Sequence, residues 1–70
     1  MNATELLYLQ IKNRQGNFSL DEIREEVADW IGVFRYRSAF IFHLEMARIY
    51  FQDDAHSVAL IDAYLGELNN

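Results

Sequence analysis

Seventy residues, a formal charge of −5 and no cysteine set tight bounds on what this chain can be. A chain this short forms a single domain, here 1–70. It gains little net stability from its own core, and without disulfides or thiolate-held metal it must rely on close packing or association. The hydrophobic share of 51% excludes a disordered chain, and the acidic balance argues against a face built to neutralise phosphates.

The spacing predicts a first helix from about Ala3 to Arg14. Asn2 and Glu5 stand three apart, as in a capping box, and Gly16 fits a stop just beyond. Lys12 and Arg14 sit near the negative end of that helix, where cations are favoured. Leu7, Leu9 and Ile11 also alternate with polar neighbours, a strand-like pattern that competes with the helical one.

Ser19-Leu20-Asp21-Glu22 is the clearest local signal. A Ser-x-x-Glu box opens a second helix, and Phe18 with Ile23 can form the hydrophobic staple. Leu20, Ile23, Val27, Trp30, Ile31 and Phe34 share one face of that helix. Glu22, Glu25, Glu26 and Asp29, joined by Asp21, share the opposite one. Carboxylates spaced this way either solvate a surface or present a row of charge to a basic partner.

Ser38 to Gln52 is apolar almost all the way round. On a helical wheel Phe40, Phe42, Leu44, Met46, Ile49, Tyr50 and Phe51 fill, together with Ala39 and Ala47, an arc roughly 220° wide. His43 falls inside it. This arc and the one centred on Val27 differ by roughly 160° on one continuous helix, so a straight rod would turn its core face outward halfway along. A break is therefore expected between Gly32 and Ser38, with Ser38 as the cap of the third helix. Asp53 or Asp54 caps a fourth helix, about 54–68, with Val58, Leu60, Ile61, Tyr64, Leu65 and Leu68 on its apolar face. The short connection makes helices three and four an antiparallel hairpin.

The expected architecture is all-α: a bundle of three to four helices with the 38–52 segment at its centre. One small fold cannot easily hide so wide an apolar arc. A homodimer interface is expected from Phe40, Phe42, His43, Met46, Tyr50 and Phe51, helped by Ala59 and Ala63 in the small-residue stripe of the last helix. A second surface is expected at Glu22, Glu25, Glu26 and Asp29, with Arg35, Tyr36 and Arg37 as the neighbouring hot spot.

No nucleophile motif, phosphate-cradling loop or metal-ligand pair stands out, so no enzyme, cofactor or metal site is expected. His56 beside Asp53 and Asp54 is read as part of a helix start. No apolar run reaches the length of a membrane span, and no signal sequence is evident, which makes the cytoplasm the default location. The function expected is non-catalytic: a small acidic regulator or inhibitor that dimerises and binds another protein. The alternatives are an acidic antagonist of a nucleic-acid-binding protein, a partial DNA mimic of the kind phages and plasmids carry, or a helix-turn-helix-like regulator using Arg35 and Arg37.

Overall fold

The computed structural model describes residues 1–70 as four α-helices and no strand. They are α1 (Ala3–Asn13), α2 (Leu20–Phe34), α3 (Arg37–Tyr50) and α4 (Ala55–Leu68). The all-α bundle expected from the sequence is the fold observed.

Local chemistry starts three of the four helices. The Asn2 side chain accepts from the Glu5 amide at 2.8 Å and its own amide donates to Glu5 Oε1 at 2.9 Å. In α1 the helical period overrides the alternating one: Leu7 and Ile11 are buried and Leu9 faces out. Ser19 and Glu22 form the complete capping box, each side chain taking the other's backbone N–H. For α4 the cap is Asp54. Ser57, itself fully buried, donates its hydroxyl to Asp54 Oδ2 at 2.9 Å. That bond is the main cause holding the Asp54 carboxyl below its ordinary pKa.

The α2–α3 break falls where the phase argument places it, but Ser38 is not the cap. The chain turns at Arg35, whose φ of 71° lies in the left-handed region. Tyr36 is then extended and occupies the cap position with no side-chain bond. Ser38 is thus carried inside the first turn of α3. That turn contains no acid to meet the helix dipole.

Each helix gives the core a stripe at spacings of three and four. α2 supplies Ile23, Val27 and Trp30, while α3 supplies Phe40, Leu44 and Ala47, and Phe51 follows in the turn. Leu60, Ile61, Tyr64 and Leu68 come from α4, which packs against all three other helices. The α3–α4 hairpin is antiparallel, clasped by Arg48 on Asp62 at 2.7 and 3.2 Å. Aromatic stacking ties it to α2, with Phe34 against Phe40 at 5.6 Å and Trp30 against Phe40 at 6.2 Å.

Arg14, at the end of α1, is the cross-brace. Its Nε and Nη2 donate to the two oxygens of Glu26 at 3.0 and 2.8 Å, and Nη2 also reaches Glu22 at 3.2 Å. From α4, the buried Tyr64 hydroxyl donates to Glu26 Oε1 at 2.6 Å. Three helices therefore meet at one carboxylate. Its pKa is held below the usual value first by the Arg14 hydrogen bond, against the opposing effect of burial. The Tyr64 phenol is pushed up, first by burial and then by Glu26.

Candidate interaction surface

The wide apolar arc of α3 divides into two faces. Phe40, Leu44, Ala47 and Phe51 turn inward and are covered by their own chain. Phe40 and Phe51 are accordingly core residues, and the expectation that they lie at an interface is corrected. The other face is bare: Phe42 is 58% exposed, Met46 47%, Ile49 63% and Tyr50 71%. Ile49 belongs to this stripe as fully as the three residues singled out from sequence. Phe42 lies four residues before Met46, and Ile49 and Tyr50 lie three and four after it, so these positions rise along one side of the helix.

His43 sits at the edge of the stripe and is half-buried. Its ring stacks on Phe34 at 5.0 Å and meets Phe42 edge-on at 5.4 Å. Its Nδ1 lies 3.4 Å from the Thr4 hydroxyl. It is thus a seam residue between α1, α2 and α3. Ala59 is exposed on α4. Ala63 borders a cleft with Phe18, Leu20 and Ile23, on the α2 side, so it does not extend the α3 stripe.

Beside the C-terminal half of the stripe, α1 and α3 enclose an open groove of about 750 Å³. Met1, Tyr8, Leu9, Tyr50 and Phe51 give it apolar walls, and Glu5, Lys12, Asp53 and Asp54 form a charged rim. Tyr8 stands 5.1 Å from the ring of Tyr50 and 5.6 Å from that of Phe51. Burial, then the neighbouring Tyr50, raises the Tyr8 pKa. An apolar floor with a thin polar rim suits the insertion of a hydrophobic side chain.

The acidic row of α2 is only partly free. Glu22 and Glu26 are engaged by Arg14, and the half-buried Glu26 is a structural anchor. Arg24 lies 3.9 Å from Asp21 and 3.6 Å from Glu67. Glu25 and Asp29 remain exposed with no ion pair. Arg35, Tyr36 and Arg37 are exposed together at the α2–α3 corner, and neither arginine pairs with a carboxylate of its own chain.

His56 donates from Nε2 to the Arg14 carbonyl oxygen at 2.9 Å, a bond between α4 and the end of α1 that spacing alone does not reveal. The Arg14–Glu26–Tyr64 junction was equally unsignalled, because its members lie far apart in the chain. No helix is long and apolar enough to cross a membrane. Comparisons with protein-family models, curated proteins and solved structures return no match to this chain.

Proposed function

We propose that this protein is a non-catalytic interaction module that works as a homodimer and binds a second protein to modulate it. The observation behind this reading is the bare stripe Phe42–Met46–Ile49–Tyr50 on a bundle whose core is otherwise closed. Exposed apolar residues scattered singly need no explanation, but a contiguous stripe does. A large aromatic side chain presents ~150–250 Å², so Phe42 and Tyr50 at their exposures leave on the order of 250 Å² uncovered. With Met46, Ile49, Leu9 and Met1 the patch comes to on the order of 600 Å², the upper end for a monomer and close to the ~800 Å² each partner contributes to a standard interface.

The surface left for a second protein is the α2–α3 corner. Tyr36 between two unpaired arginines is hot-spot chemistry, flanked on α2 by Glu25 and Asp29. The acidic-antagonist alternative is the weaker reading, because two of its four carboxylates are engaged inside the bundle.

Light scattering behind size exclusion tests the dimer. The mass is expected to rise from 8.3 kDa toward twice that value between low and high micromolar concentration. A Phe42→Glu, Ile49→Glu variant is expected to stay monomeric with unchanged helical content. A wild-type mass fixed at that of one chain throughout the range overturns the reading.

A further inference from the structure

We propose that two copies of this chain pair through antiparallel α3 helices crossing at Met46, each copy packing Phe42 between Ile49 and Tyr50 of the other. This rests on the dimeric reading above and specifies its register.

The stripe is close to a palindrome about Met46. Phe42 and Tyr50 each stand four residues away, about 6 Å along the axis and about 40° to either side. Ala39 and Asp53 stand seven residues away, about 20° off the same line if the helical path is continued through the turn. A twofold axis at Met46 with antiparallel helices therefore brings Phe42 of one copy level with Tyr50 of the other, on its Ile49 side, twice. That is the self-complementary pattern an isologous interface requires.

The exposed Ile49 stands about 60° from the Met46 line on the side that Phe42 occupies, next to Tyr50 along the axis. A phenyl ring arriving at that level sits between Ile49 and Tyr50, on the flank of Tyr50 turned away from Tyr8. The exposed Phe42 is the knob and the notch between Ile49 and Tyr50 the hole, and because both occur on every copy the contact closes on itself.

Charge selects the antiparallel direction. The N-terminal end of α3 carries Arg35 and Arg37 and no acid in its first turn, whereas Asp53 and Asp54 follow its C-terminal end. A parallel pair sets like ends together; an antiparallel pair sets the basic end of each helix beside the acidic end of the other and opposes the two dipoles. Arg37 lies on the far side of the helix from Met46, so its contribution is a field over several ångströms rather than a direct ion pair.

The absence of native cysteine makes the register directly testable. Helices packed ~8–10 Å apart, with Cα atoms ~2.3 Å from each axis, bring residues on the twofold axis within disulfide range. Under mild oxidation Met46→Cys is expected to form a covalent dimer. A mixture of Ala39→Cys and Asp53→Cys is expected to give mainly the mixed disulfide, identified by its mass. Independently, Ala39→Glu, facing the partner's Asp53, should weaken dimerisation about tenfold relative to Ala39→Lys. Circular dichroism verifies that each variant folds.

Self-linked Ala39→Cys, equal effects of the lysine and glutamate variants, or no Met46→Cys dimer from a protein that still dimerises overturns this register alone. Loss of dimerisation from the unmodified protein overturns the parent reading as well.

Discussion

Removing one oxygen tests the junction at Glu26. Tyr64→Phe keeps the ring that packs at 6.1 Å from Phe40 and deletes only the hydroxyl donating to Glu26 Oε1 at 2.6 Å. A hydrogen bond to a charged acceptor contributes roughly 1.5–3 kcal/mol. The lower part of that range applies here, since Glu26 is 29% exposed and keeps both Arg14 bonds. The expected loss is ~1–2 kcal/mol at neutral pH, or about 5–15 °C in Tm for a domain of this size. Thermal and urea unfolding followed by circular dichroism measure it, and an unchanged urea m-value shows that the same surface is being buried.

The loss should also depend on pH. Glu26 has a folded pKa below its ordinary 4.5. Stabilisation linked to its ionisation is therefore fully present above the unfolded value and disappears as pH falls through the lower folded value. The gap between wild type and Tyr64→Phe narrows over that acidic range. A deficit under about 0.5 kcal/mol at pH 7, or one that widens on acidification, refutes the argument that Glu26 organises three helices.

Two substitutions should stabilise the protein. Arg35→Gly relieves a side chain held at φ 71° and should add about 1 kcal/mol, read as a raised urea midpoint; an unchanged or lowered midpoint counts against strain at the corner. Gly32→Ala lies near the end of α2, where an added Cβ meets nothing within 4 Å, and should add ~0.5–1 kcal/mol through helix propensity. A destabilised Gly32→Ala protein would mean that the α2 surface is covered.

What could be read from sequence was what is local or periodic. The Ser19–Glu22 box, the Asn2 cap and the Asp54 cap each involve residues within one helical turn, so their residue types and spacing nearly determine the contact. The α2–α3 break was legible because periodicity runs over long stretches, and two apolar arcs out of phase cannot share a straight rod. The details of the break were hidden, since nothing about the residue type of Arg35 announces a left-handed backbone, and that turn is what displaces Ser38 from the cap.

The arc of α3 shows the same division. Its width exposes an excess of apolar side chains, but a wheel cannot say which edge faces the core. That depends on where α1, α2 and α4 lie, and they cover Phe40 and Phe51 while leaving Phe42, Ile49 and Tyr50 bare. Arg14 and Tyr64 were out of reach for the same reason. Each looks ordinary beside its sequence neighbours and acquires its role only when distant helices bring it to Glu26.

The position of α1 has a further consequence. This helix packs chiefly against α4, with Arg14 reaching α2 and His56 reaching back to its end. Native-state amide exchange should therefore find the protons of α1 released in a low-energy excursion that leaves the hairpin intact. Because Tyr8 and Leu9 wall the groove, each such excursion dismantles one side of it. A molecule lodged there would slow the exchange of α1 amides specifically, turning the least embedded helix into a reporter of occupancy.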